Sequence, residues 1–302
     1  MGKIFKTIWR VISFPFWLVY KLIVFPFHQI HNFINFLNED IDDNSLTEIV
    51  SGIVTDKEKQ TAFWDHIEDL RKHLLRAVLA VVVAVVITFV YTVPVMEFLA
   101  APIGGLTNLQ AIQVTEEVGA YMKIALSLGI TVAFPYIIFE MWWFAAPGLR
   151  PRERKFGLLS IPFATLLYVA GMVFAYVILI PPALNLLGGF TEISQKWTAK
   201  EYFDFVNGLI FWMGISFEFP LVIYVLTAIG FVKPKFLAQQ WRLAIVIIAV
   251  LAAAITPTVD PINMSLVMGP LTLLYFISIG LSYLALAGRR QPESEPEIEE
   301  RE

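Results

Sequence analysis

The sequence predicts an all-α integral membrane protein with six transmembrane helices and both termini cytoplasmic. Three observations predict it. Of 302 residues, 57% are hydrophobic, and mean hydropathy is +0.68, a balance that soluble domains rarely reach because their surfaces carry charge. The apolar residues gather into runs close to a bilayer crossing, about 20 residues at about 1.5 Å each. Backbone groups in lipid must bond internally, so such runs read as helices. The basic residues, finally, fall in alternate loops.

The first 60 residues form an N-terminal extension. Residues 8–37 are rich in Phe, Ile and Trp, and Phe14-Pro15-Phe16 is echoed by Phe25-Pro26-Phe27. A span here would enclose Lys21 and two prolines and leave Lys3, Lys6 and Arg10 outside, against the positive-inside trend. An amphipathic segment lying in the interface, broken by proline into two short helices, fits better. No small-residue cleavage site marks it as a signal peptide. An acidic linker, Asn38 to Asn44, follows.

The core, 61–288, holds six spans at about 74–99, 123–144, 157–183, 205–231, 241–255 and 264–287. The fifth, Trp241 to Ile255, reaches only ~22 Å as a helix, so it needs thinned bilayer or sheltering neighbours. Arg71, Lys72 and Arg76 precede the first span. Arg150, Arg152, Arg154 and Lys155 lie between the second and third. Lys233, Lys235 and Arg242 lie between the fourth and fifth, and Arg289 and Arg290 follow the sixth. The opposite loops hold only Lys123, Lys196 and Lys200. This bias sets the orientation. The tail, 289–302, is dominated by glutamate and proline and reads as disordered.

The residues exclude several chemistries. With no cysteine, there is no disulfide, thiolate metal site or cysteine nucleophile. No glycine-rich phosphate loop and no HExxH pair occurs. His28, His31, His66 and His73 read as interfacial side chains rather than ligands. Gly104-Gly105 reads as a turn. No metal, cofactor or nucleic acid is expected.

The acids are more informative. Glu218, in Phe217-Glu218-Phe219-Pro220, sits near the middle of the fourth span, where a carboxylate costs about 2.5–3.5 kcal/mol on insertion scales. It either serves a polar cavity or partner, or is hydrogen-bonded within the bundle. Pro220 frees a carbonyl at Ser216. Glu68 and Asp69 precede the first span, Glu153 sits among bases, and Glu140 lies near the cytoplasmic end of the second span. Each reads either as a solvated surface acid or as part of an acidic patch at the mouth of the bundle. Such a patch suits a dibasic ligand, because arginine grips a carboxylate with a planar fork that lysine lacks.

Over about residues 62–288 the chain resembles the TatC family. An HLxELRxRL-like stretch is matched by His66-Ile67-Glu68-Asp69-Leu70-Arg71-Lys72-His73-Leu74, and a proline after the first span by Pro102. A WxFxxPGL-like run is matched by Trp142-Trp143-Phe144-Ala145-Ala146-Pro147-Gly148-Leu149, and an ERR-like loop by Glu153-Arg154-Lys155. An FE-x-P element runs from Phe217 to Pro220, and a TPxxD-like turn is met by Thr256-Pro257-Thr258-Val259-Asp260.

The resemblance implies a concave, glove-like bundle that recognises twin-arginine signal peptides on folded cargo. It also implies export driven by the proton-motive force, and single-span TatA- and TatB-type subunits assembling into a multimeric complex among membrane lipids. Signal-peptide binding then falls on Asp69 and Glu153, with Glu68, Glu140 and Arg71 beside them. Glu218 and Pro220 take the place of the intramembrane contact with partner helices, and Pro102 and Asp260 that of functional periplasmic residues. Asp69 stands where the family usually has glutamate, Glu140 where glutamine is frequent, and Met264 where glutamine is common. The rival reading is a proton-coupled secondary transporter built on Glu218, against which stands the lack of an internal repeat. A purely structural scaffold is a third reading, and an enzyme has almost no residue-level support.

Overall fold

The computed structural model describes residues 57–149, 151–189, 197–256 and 261–289. The N-terminal extension up to Asp56, the tail from Arg290, and Asp260 lie outside these residues. Apart from a two-residue parallel pairing of Leu109–Gln110 with Trp197–Thr198, the regular structure is helical.

The first span is helix α1 (Lys57–Thr88), a 3-10 turn (Phe89–Tyr91) and α2 (Thr92–Ala100). At about 1.5 Å per residue, α1 alone is near 48 Å long, so its N-terminal turns project beyond the apolar layer. The break falls where Pro94 withholds a donor from the preceding turn. Side chains of three later spans grip this broken end. Tyr121 donates to the Phe89 carbonyl at 2.7 Å, Tyr176 to Phe98 at 2.8 Å and Tyr202 to Leu99 at 2.7 Å. Pro102 lies in the exposed 3-10 turn that ends the span, and Gly104 closes it at a φ of 87°.

The second span is α3 (Glu116–Ala145), with a 3-10 turn at Ala146–Gly148. The third joins α4 (Pro151–Phe174) to α5 (Ile180–Gly189) through a π-turn at Ala175–Leu179. Pro181 and Pro182 withhold the donors of two successive α-type bonds, and the turn widens to i→i+5. The fourth span is α6 (Ala199–Phe217) and α7 (Phe219–Ala228), split at Glu218. There Glu218 N bonds Ile215 O at 3.1 Å, and the α pattern resumes with Val222 N on Glu218 O at 2.9 Å. Pro220 supplies no donor for the Ser216 carbonyl, as its position predicts.

A short helix α8 (Pro234–Gln239) leads to α9 (Trp241–Ile255) and α10 (Pro261–Arg289). Five helical stretches are long and apolar enough to cross a membrane, and α9 is a shorter apolar helix. The six expected spans are therefore five long helical stretches and one short helix, the fifth.

The core is built around α6, whose Tyr202, Phe203, Val206, Leu209 and Met213 are all buried against the other spans. Much of the remaining apolar surface faces outward, Val78, Val82, Val86 and Val90 on the first span among it. Exposed valine is the expected state of a lipid-facing helix, because the solvent there is hydrocarbon.

Candidate functional site

At its basic end the bundle brings together the start of α1, the end of α3 and the start of α4. Here α1 packs along α3, and α3 against α4. The contacts at this end are aromatic and polar. Phe144 of α3 receives the His66 ring face to face, with centroids 4.4 Å apart, and the edge of His73 at 6.2 Å. His66 and His73 are seven residues apart, two helical turns, and so lie on one stripe of α1.

Within that frame Glu68 and Asp69 are exposed, and Lys72 reaches both, at 3.7 Å and 3.1 Å. The two acids are not equivalent. At about 100° per residue, Asp69 lies about 50° from the midline of the His66–His73 stripe and Glu68 about 150° from it. Asp69 therefore borders the α1–α3 seam, and Glu68 faces away. Arg71 is exposed on the same turns. The Lys72 contacts are those of exposed ions and contribute only ~0–1 kcal/mol each, so a better-matched cation can replace the lysine.

Glu153 stands in the first turn of α4, partly exposed. Its neighbour Arg154 is buried, 2% exposed, and its Nε donates to the Leu149 carbonyl at 3.3 Å. That bond ties α4 to the turn leaving α3 and so places Glu153. Gly157 makes the same junction possible. A Cβ there would lie 2.5 Å from Trp142 Nε1, so only glycine lets the indole settle against α4.

Glu140 is the departure from a simple acidic rim. Its side chain is 5% exposed. Oε2 lies 2.5 Å from His73 Nδ1, and Oε1 accepts from Tyr136 Oη at 2.5 Å. Both oxygens are thus engaged inside the α1–α3 interface.

Glu218 lies far from this mouth, 8% exposed at the α6–α7 junction, with Pro220 buried beside it. Among the described residues its Oε1 has no hydrogen-bond partner. The same part of the bundle holds a polar seam. Asn207 Nδ2 donates to Ser127 Oγ at 2.8 Å, and Thr131 Oγ1 lies 3.2 Å from the Tyr168 hydroxyl. Toward the end away from the basic mouth the seam closes on Lys123 and Asp204, 2.5 Å apart. Among the described residues no cluster of His, Asp and Glu has the makings of a metal site.

Sequence reasoning singled out the four acids but missed His73–Glu140–Tyr136 and Lys123–Asp204. The seven-residue spacing of His66 and His73 was one available signal. The two halves of each pair are otherwise 67 and 81 residues apart in the chain.

The fold and this mouth define a multi-pass membrane protein whose one polar end is arranged around a small set of acids. The family model for Sec-independent protein translocase protein (TatC) matches residues 65–270. The Deinococcus radiodurans Sec-independent protein translocase protein TatC is 36% identical over 228 residues, 72% of this chain and 84% of that one. The Bacillus subtilis protein TatCy is 34% identical, over 76% of this chain and 91% of its own length. A crystal structure described as "Twin Arginine Translocase Receptor- TatC" superposes with a TM-score of 0.67 at 36% identity, covering 73% of this chain and 99% of that one. The chain belongs to the TatC family of Sec-independent protein translocase proteins and is a multi-pass protein of the cell membrane. That membership sets aside the secondary-transporter reading of Glu218.

Proposed function

We propose that this chain is the receptor subunit of the twin-arginine translocase and that its cytoplasmic mouth binds the arginine pair of signal peptides. The observation that carries the reading is the pair of acids at that mouth. Asp69 is exposed beside the α1–α3 seam, and Glu153 stands at the start of α4 on the same end of the bundle. A guanidinium docks on a carboxylate through two parallel hydrogen bonds, so two acids on separate helices suit two successive arginines. Lys72, in contact with Asp69 and Glu68, is a cation already accommodated at that position. Arg71 and Glu68 flank that position and tune its net charge.

The apolar part of the signal then lies along the bundle. Glu218, buried at the α6–α7 junction with an unengaged oxygen, is offered to a donor from a single-span TatA- or TatB-type subunit. Pro220 keeps that junction open, and Pro102 and Asp260 serve at the periplasmic ends of the first and last spans. Transport in this scheme is non-enzymatic and draws on the proton-motive force.

The test is site-specific photo-crosslinking of signal peptides to the full chain in membranes. Arg-Arg and Lys-Lys peptides are compared on wild type, Asp69→Ala, Glu153→Ala and the double variant. Crosslinks that require Arg-Arg and disappear in the double variant are expected. Equal labelling by both peptides, indifferent to the substitutions, would refute the receptor reading and leave the chain a scaffold for partner helices.

A further inference from the structure

The buried polar cluster at the mouth has no part in the scheme above. We infer that Glu140, His73 and Tyr136, together with the His66–Phe144 stack, form a positioning element that aims Asp69 and lets the mouth tell arginine from lysine. This inference rests on the receptor reading. His73, His66 and Tyr136 touch no ligand in it; they act through α1.

Glu140 is closed to a ligand. At 5% exposure, with His73 on one oxygen and Tyr136 on the other, its carboxylate is already supplied with donors. A buried carboxylate is tolerated only with such partners. Glu140 and Tyr136 stand on α3 and His73 on α1, so the His73–Glu140 bond holds the rotation of α1 at that level, while Tyr136, one turn back on α3, holds the Glu140 carboxylate toward it. One turn beyond Asp69 in the other direction, His66 stacks on Phe144 at 4.4 Å. Asp69 comes three residues after His66 and four before His73. Its turn of helix is therefore held on both sides while its own carboxylate remains exposed.

That arrangement matters for guanidinium and hardly at all for ammonium. A fork of two parallel hydrogen bonds requires the carboxylate in one plane and direction, whereas an ammonium is a point charge with three rotatable donors. A freely turning α1 would still attract lysine through its charge. It would lose the bidentate geometry that favours arginine. The contact of Lys72 with both Glu68 and Asp69 shows how little direction an ammonium needs.

The test uses the full chain in membranes and reads the ratio of Arg-Arg to Lys-Lys peptide crosslinking. The forms compared are wild type, His73→Ala, Glu140→Ala, the double variant and Tyr136→Phe. Loss of one charge-assisted hydrogen bond corresponds to roughly tenfold or more. The ratio is expected to fall by about that factor in His73→Ala and Glu140→Ala, no further in the double variant, and by a smaller factor in Tyr136→Phe, which loses a donor within α3 and keeps the His73–Glu140 bond between the helices. An unchanged ratio overturns the inference. So does an equal loss for both peptides, since that is what a merely structural defect produces. If His73→Ala fails to insert, Tyr136→Phe decides on the same ratio, because it removes one hydroxyl and leaves the ring packed. Absence of any Arg-Arg preference in wild type would instead sink the receptor reading itself.

Discussion

Replacing Gly129 by alanine tests the contact on which the first two spans depend. A Cβ at that position would lie 2.8 Å from both the Cα and the backbone N of Val85, whereas ordinary contact begins at 3.4 Å. The obstacle is the main chain of α1, so no side-chain rotation relieves it. The two helices must part by about half an ångström or more, and overpacking of this kind costs ~1–3 kcal/mol. At ~2–4 °C per kcal/mol for a chain of this size, the thermal midpoint in detergent should fall by roughly 2–12 °C. Gly119→Ala, near the start of the same helix, is the matched control. Nothing lies within 4 Å of its added Cβ, and alanine improves helix propensity by up to ~1 kcal/mol. Tryptophan-fluorescence melting of the purified variants measures both. Equal midpoints for the two would refute the close-approach argument, because the chemical change is identical and only the neighbour differs.

Further outcomes follow from the polar groups. Glu218→Gln should leave the melting midpoint unchanged or raise it, since it replaces a buried carboxyl group, whose Oε1 has no partner among the described residues, by a neutral group of the same shape. A clear fall would reveal a partner that stabilises the carboxylate. The Lys123–Asp204 pair is half-exposed on the lysine side, so a double-mutant cycle on thermal unfolding should give a coupling of ~0.2–1 kcal/mol that shrinks at high salt. A larger, salt-independent coupling would place the pair out of contact with water. Asn207→Leu should cost ~1–3 kcal/mol in the same assay, because it removes a buried donor from Ser127 and leaves that hydroxyl without it.

A good part of this protein could be read along the chain. The six spans, the short fifth one and the break just before Pro220 all follow from properties local to a segment. Apolar run length, the missing proline N–H and the alternation of basic loops need no knowledge of neighbours. The two acids proposed for signal recognition were also visible as members of short motifs. The π-turn before Pro181 and Pro182 could have been anticipated from the same missing donors, and the pairing of Leu109–Gln110 with Trp197–Thr198 could not.

What the sequence by itself determined is thus the number of spans and the family. Tertiary structure alone decided which polar groups meet. Glu140 looked like one more acid at the rim, and the packing of α1 on α3 brings His73 onto it, while Tyr136 reaches it from one turn back on the same helix. Glu68 and Asp69 are adjacent in the chain, and the rotation of α1 set by His66 and His73 on Phe144 distinguishes them. Lys123 and Asp204 are 81 residues apart and become an ion pair only when the second and fourth spans lie side by side. Helix formation depends on bonds between residues four apart, whereas the rotation of one helix against another depends on the steric fit of two whole surfaces. That fit is absent from any single segment of the chain.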